Sequence, residues 1–279
     1  MLPKFVIVDV MKSGTSTVQH YLRQHPEIYM PENELHFFHD RMNGRWNNGI
    51  DWYRAQFQDA SPEQIVGEKT PAYSYLPNTA ERIHNILPDV KLIWIFRNPV
   101  DRAYSNYWHW VVHGREPHSF EEAVRREKRN YHQSYSYKNY LRRSLYVEQL
   151  DRYLEYFDRD QMHFALFEQV VSNPKFVLGN VFSFLEVDSE YARNLDKRVK
   201  KNSTSIPRWR IFRYFTRSVV DEIPLVRSMA SRLDRRFNRG REPGYPEMNE
   251  KLRKRLEDYF RPYNEQLEER AGLNLDIWR

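Results

Sequence analysis

Six consecutive residues, Lys12, Ser13, Gly14, Thr15, Ser16 and Thr17, supply one ammonium, four hydroxyls and a glycine. A glycine in a strand-to-helix turn lets successive backbone N–H groups converge on a concavity, and the N-terminus of the following helix adds its positive dipole end. Such a set suits a phosphate. Its order differs from a Walker A loop, GxxxxGK(S/T), where lysine follows glycine and the Ser/Thr serves magnesium. An ordinary strand-to-helix turn is the alternative. A second set lies in "IWIFRNPVDRAYSNYWH", where Arg97 ends an apolar run and Asp101 and Ser105 follow at intervals of four. Residues so spaced share one helix face, so Arg97 and Ser105 can hold a second phosphate, or Arg97 can pair with Asp101 for structural reasons.

The elements that must position these groups alternate along the chain. "KFVIVDV", "QIVGEKT", "VKLIWIF" and "MHFALFE" read as short buried strands. Between and after them "TVQHYLRQH", "NTAERIHNIL" and "SLYVEQLDRYLEYF" show helical spacing of apolar residues. Asn98 with Pro99 predicts a helix from Val100 to about His113, Ser119 with Glu122 forms a capping box, and "NPKFVLGNVFSFL" repeats the Asn-cap, Pro-first pattern. A final long helix carries one interior proline. This order predicts an α/β fold: a single domain over 1–279, with a central parallel sheet flanked by helices on both faces. Ligands of such sheets bind beyond the carboxyl ends of the strands, where both sets stand. Two stretches break the alternation, an aromatic loop insertion about 33–58 and a basic helical segment about 203–244. Their length and composition make them candidates for substrate-facing elements.

The mean hydropathy of −0.85 suits a globular chain. No apolar run approaches the ~18 residues of a membrane span, and no signal peptide is visible. With no cysteine among 279 residues, disulfides, thiolate metal sites and cysteine nucleophiles are excluded. The expectation is cytoplasmic residence, with the Golgi lumen as the alternative if the given residues are a truncated piece. Net charge is +6, and residues 197–241 hold fourteen Lys/Arg against three Asp/Glu. A block this basic favours an anionic partner, and its arginines alternate with Trp209, Ile211, Phe212, Tyr214 and Phe215, which also allows a peripheral membrane contact.

Taken together, the loop at 12–17 and the Arg97…Ser105 pair resemble the P-loop-like sulfotransferases that use 3′-phosphoadenosine 5′-phosphosulfate (PAPS). "PENELHFFHD" is similar to the base-bearing segment of the heparan N- and 3-O-type enzymes, and "GEKTPAYSY" to their lysine-bearing segment. The closing "YFRPYNEQLEERAGLNLDIW" matches the usual tail, and the likeness covers most of the chain. The resemblance implies that residues 12–17 hold the 5′-phosphosulfate and that Arg97 and Ser105 hold the 3′-phosphate. The sequence departs from the pattern at Asp9, where related chains carry glycine, and at "NSTSIPR", whose residues stay unassigned.

In-line sulfuryl transfer needs a base for the acceptor's proton and cations over the leaving phosphate, and no metal is required. The resemblance makes Glu34 the base, and burial beside Leu35, Phe37 and Phe38 is expected to raise its pKa. His36, on the same side if the segment is extended, is the second choice for base or orients the acceptor. Lys12 stands beside the bridging oxygen, and Lys69 contacts the transferring group or the acceptor. Tyr73, with Tyr75, Trp46, Trp52, Tyr107 and Trp108, is a candidate for stacking on sugar rings, with about half of these aromatics expected in the core. The reaction so implied moves a sulfuryl group from PAPS to a hydroxyl or amine of a carbohydrate or glycolipid and releases PAP. Small alcohols, phenols or protein tyrosine are alternative acceptors. A P-loop kinase or NTPase, or a binder of nucleic acid or membrane surface, are the readings from other classes; with the transferase reading no nucleic-acid partner is expected. The oligomeric state is not read from the sequence.

Overall fold

The computed structural model describes residues 1–8, 10–41, 43–129, 135–195, 206–219 and 244–279. Asp9 and most of the basic segment about 203–244 lie outside the described residues. The strands are β1 (Phe5–Val8), β2 (Ile28–Tyr29), β3 (Ile65–Thr70), β4 (Lys91–Phe96) and β5 (Met162–Leu166). The helices are α1 (Thr15–Leu22), α2 (Gly49–Ala55), α3 (Thr79–Ile86), α4 (Pro99–Val112), α5 (Phe120–Arg129), α6 (Tyr146–Leu154), α7 (Phe167–Ser172), α8 (Pro174–Leu185), α9 (Arg210–Tyr214) and α10 (Glu250–Ala271). They fall into two compact units: Met1–Asn98 with Leu145–Lys200 and Pro262–Arg279, and Pro99–Ser144 with Lys201–Arg261.

The first unit holds the sheet, with all strand pairs parallel in the order β2-β3-β1-β4-β5. Parallel strands are covered on both faces, and alternate side chains sort between them. Val6, Val8, Leu92, Trp94 and Phe96 face α3, α6 and the C-terminal Leu267, Ala271 and Trp278. Phe5, Ile7, Ile93 and Ile95 face α1 and α8. Each such fully buried apolar side chain contributes ~1.5–3 kcal/mol. The chain runs to β3 on one side of β1 and to β4 on the other, so the crevice where the order reverses opens at the end of β1. The expected parallel α/β sheet is present, and β2 is an addition to the four strands read from the sequence. A two-residue strand has no periodicity to detect; it exists through its pairing of Ile28 and Tyr29 with Ile65 and Val66.

Helix starts follow local chemistry. Pro99 opens α4, Ser119 Oγ accepts from Glu122 N–H at 3.3 Å, and Asn173 Oδ1 accepts from Phe176 N–H at 3.4 Å ahead of α8. The aromatic stretch 33–58 is largely packed rather than open. Phe37 stacks on Tyr53 at 4.2 Å, and Phe37, Phe38, Tyr53 and Phe57 are core residues.

In the second unit, the buried Arg102 donates to Ser144 Oγ and the Tyr140 carbonyl, and Glu127 accepts from the Leu141 and Arg142 amides. Asp101 pairs with Arg253 at 2.6 Å. Within residues 206–219, α9 runs on into a π-helical turn (Phe215–Val219), with Trp209, Ile211 and Phe215 exposed among arginines.

Candidate active site

The turn after β1 is built on two left-handed residues. Lys12 has φ 75° and Gly14 has φ 78°, and Ser13 N–H between them donates to the Val10 carbonyl at 3.0 Å. Gly14 is needed twice over. Its φ belongs to the region open to glycine, and a Cβ there would stand 2.6 Å from the Phe167 ring. It also caps α1 without any side-chain hydrogen bond, so the helix N-terminus is left to its backbone amides. Ser13 Oγ is buried and has no hydrogen-bond partner among the described residues. An orphaned hydroxyl, the hydroxyls of Thr15, Ser16 and Thr17, and an uncapped helix start suit the oxygens of a phosphosulfate.

Arg97 braces this loop. Its Nη1 donates to the Lys12 carbonyl at 2.9 Å, its guanidinium lies 4.6 Å from the centre of the Phe167 ring, and its own carbonyl accepts from Tyr146 OH at 2.9 Å. One end of β4 thereby holds the end of β1. Ser105, expected to share a phosphate with Arg97, is a buried residue of α4 in the second unit.

The sheet brings three other expected residues together. Lys69, on β3 beside Ile7 of β1, is nearly fully buried. Its Nζ donates to Glu34 Oε1 at 2.6 Å and to Ser16 Oγ at 3.1 Å. His36 Nε2 lies 3.5 Å from Glu34 Oε2. Lys69 thus links the carboxylate to the phosphate-type loop, across 35 and 53 residues of sequence. His36 is not extended; its φ is 53°, secured by its N–H donating to Thr70 Oγ1 at 3.1 Å and its carbonyl accepting from Arg45 N–H at 2.8 Å. A non-glycine residue held in this region marks a site where packing over-determines the backbone.

The electrostatics reverse one expectation. Burial does push the Glu34 carboxyl up, but hydrogen bonding to His36 and the charge of Lys69 outweigh it, and its pKa is lowered from the ordinary value. The raised carboxyl is its neighbour in β3. Glu68 is fully buried and pushed up to about 7, even though Tyr53, Tyr73 and Thr70 donate to it. Strand alternation puts Glu68 and Thr70 on the face opposite Lys69, a signal present in "GEKT".

Tyr73 is placed otherwise than expected. Its ring is fully buried, and its hydroxyl accepts from Phe37 N–H at 3.0 Å and Phe38 N–H at 3.3 Å while donating to Glu68 at 3.1 Å. It holds the Glu34-bearing loop in place and presents no face to a sugar. Tyr75 and Tyr107 are also buried, whereas Trp46, Trp52 and Trp108 are partly exposed. Besides Glu68, sequence reasoning missed His39, although it stands inside "PENELHFFHD", and Phe167 and Tyr146, which carry no chemical signature.

A parallel α/β sheet with a glycine turn after its central strand, a bracing arginine after the next and a carboxylate–lysine pair beside them has the P-loop-like fold. The chain matches the sulfotransferase domain over residues 2–269 and belongs to the sulfotransferase family; it is a PAPS-dependent sulfotransferase. It is 29% identical to the human heparan sulfate glucosamine 3-O-sulfotransferase 5 over 280 aligned residues, covering 99% of this chain and 74% of that protein. A crystal structure of a sulfotransferase from Alicyclobacillus acidocaldarius superposes with a TM-score of 0.74 at 30% identity, covering 100% of this chain and 99% of that one. A membrane-associated sulfotransferase of Dictyostelium discoideum is 26% identical over 67% of this chain and 56% of its own length. The cytoplasmic placement expected from the sequence is overturned: its relatives include heparan sulfate enzymes and this membrane-associated one. Among the described residues no helix is long and apolar enough to cross a membrane.

Proposed function

We propose that the protein transfers the sulfuryl group of PAPS to a carbohydrate hydroxyl, with Glu34 as the base. The observation that carries this reading is Lys69 Nζ, which touches both Glu34 Oε1 and Ser16 Oγ. A base and an anion-binding loop joined by one buried ammonium put proton removal next to donor binding. Lys12, Ser13, Gly14, Thr15, Ser16 and Thr17 hold the donor's phosphosulfate end, Lys12 neutralises charge on the leaving phosphate, and Arg97 keeps the loop in shape and takes a donor phosphate. Ser105 is assigned to the 3′-phosphate by resemblance alone. Lys69 turns from Glu34 to the transferring group as the acceptor's proton reaches Glu34, and His36 orients the acceptor. The heparan sulfate relatives support a sugar acceptor over an alcohol, phenol or tyrosine. The family assignment removes the kinase, NTPase and pure binding readings.

Isothermal titration with adenosine 3′,5′-bisphosphate (PAP) in EDTA tests donor binding, and labelled sulfate transfer to a panel of glycans, glycolipids and phenols tests the acceptor. Binding that is lost in Arg97→Ala, with label entering a glycan, supports the reading. Label entering only phenols or tyrosine would sink the carbohydrate assignment.

A further inference from the structure

Glu168 is a half-buried residue near the start of α7 that the mechanism above does not use. β4 and β5 run parallel, and Phe96 opposite Leu166 is the last pair of their ladder. Beyond it β5 turns into α7, so a side chain rather than a strand carbonyl meets the chain leaving β4. That side chain is Glu168, whose Oε1 accepts from Asn98 N–H at 2.9 Å. Its Oε2 accepts from the indole Nε1–H of Trp278 at 3.1 Å. A backbone N–H and an indole N–H only donate, so both contacts call for an oxygen. A glutamine would offer one.

The Asn98 N–H belongs to the same planar peptide unit as the Arg97 carbonyl, and that carbonyl accepts from Tyr146 OH at 2.9 Å. Both polar groups of the unit are thus held by side chains, one from α6 and one from α7, all within the first unit. Holding the plane holds ψ of Arg97, and with it the direction in which the side chain leaves the end of β4. The guanidinium so directed donates to the Lys12 carbonyl at 2.9 Å and lies 4.6 Å from the centre of the Phe167 ring. The same ring lies against Gly14. Two adjacent residues therefore hold Arg97 at both ends: Glu168 grips its backbone and Phe167 its guanidinium.

The geometry points to Glu168 as a positioning residue for donor binding. With Tyr146 it locks the Arg97–Asn98 peptide and so aims the Arg97 guanidinium at the 12–17 loop, a role that rests on this loop and Arg97 holding the donor. Trp278 anchors the far side of the lock. It is a core residue, and its ring meets that of Tyr146 with centroids 6.2 Å apart. One indole therefore touches both side chains that grip the peptide. A guanidinium on a long side chain moves far at its tip for a small turn of its backbone, and a misplacement of about 1 Å in a binding group is costly.

The test uses the whole chain, titrated with PAP in EDTA. Glu168→Met keeps the shape and removes both acceptors; it should weaken PAP binding by about 10- to 100-fold and raise KM for PAPS, with KM for the acceptor unchanged. Glu168→Gln combined with Trp278→Phe leaves one acceptor for the one remaining donor, so PAP binding should return to within about 3-fold of wild type. Equal weakening in Glu168→Met and in this double variant would mean that Glu168 only packs, and would overturn the inference. In a double-mutant cycle, Glu168→Met added to Arg97→Lys should cost less than about 2-fold more, and additive losses would overturn it. Amide exchange gives a readout independent of the donor: Asn98 N–H should be protected in wild type and lose protection in Glu168→Met. Free exchange of Asn98 in wild type would overturn the inference without any variant. A wild type that does not bind PAP would sink the donor reading, while Asn98 protection would still report the lock, so the two failures are distinguishable.

Discussion

Lys69 Nζ lies 2.6 Å from Glu34 Oε1, with the lysine side chain 2% exposed and the carboxylate 35% exposed. The lysine nitrogen is buried and spends two of its hydrogens on Glu34 Oε1 and Ser16 Oγ. The carboxylate is at the surface end of the pair, where an acceptor can arrive.

Glu34→Gln keeps the shape and removes the proton acceptor. Expected is a loss in kcat of ~10²–10⁴-fold with PAP affinity changed little, measured by steady-state kinetics and calorimetry. Stability carries a second signature. A carboxyl with a lowered folded pKa stabilises above its unfolded pKa, and that contribution disappears as pH falls through the folded one. The urea midpoints of wild type and Glu34→Gln should differ at pH 7 and converge in acid.

Tyr73→Phe separates support from substrate stacking. The ring survives, but the Phe37 and Phe38 amides lose their acceptor and Glu68 loses a donor. Stability should fall by about 1–3 kcal/mol, read from denaturation curves, and kcat should fall more than KM rises. A change confined to acceptor KM would restore the stacking role.

Glu68 gives the opposite pH sign from Glu34. With its folded pKa raised to about 7, the native state binds the extra proton between the unfolded value and about 7. The contribution is therefore full below the unfolded pKa and lost as pH rises through about 7. Relative to wild type, Glu68→Gln should gain about 3 kcal/mol in stability between pH 4 and pH 8.5, measured by denaturant titration at each pH. No change in the difference would show that Glu68 ionises freely.

Gly14→Ala puts a Cβ at φ 78° and 2.6 Å from the Phe167 ring. A stability loss of about 1–3 kcal/mol is expected, with PAP affinity reduced because the loop amides turn with the backbone. Thermal melts and PAP titration check both.

The turn before α1 was legible because Gly14 stands between an apolar run and a helical pattern, and such local chemistry needs no tertiary information. So were the α4 and α8 starts, where Pro99 and the Asn173–Pro174 pair act on their own turns. The pKa of Glu34 was misread for the converse reason. Its apolar neighbours Leu35, Phe37 and Phe38 are visible in sequence and are indeed buried, but the lowering comes from His36, turned onto the carboxylate by a left-handed backbone, and from Lys69, 35 residues away. Tyr73 was misassigned because an aromatic's use depends on which way its strand-end turn faces.

Sequence alone determined the parallel α/β order and the turn after the first strand, and put Lys69 and Arg97 at strand ends, while Glu34 and His36 were singled out by the resemblance. Period, capping and turn chemistry are properties of neighbouring residues and reach no further than a helix or a strand. Tertiary structure decided that Lys69 bridges Glu34 and Ser16, that Arg97 and Phe167 brace the loop, and that His39 faces His36. Those contacts depend on the register of β3 against β1, which pairs Lys69 with Ile7, and on the close return of the 33–58 stretch over Tyr73. Register is set by the whole buried face of the sheet, so no single segment encodes it.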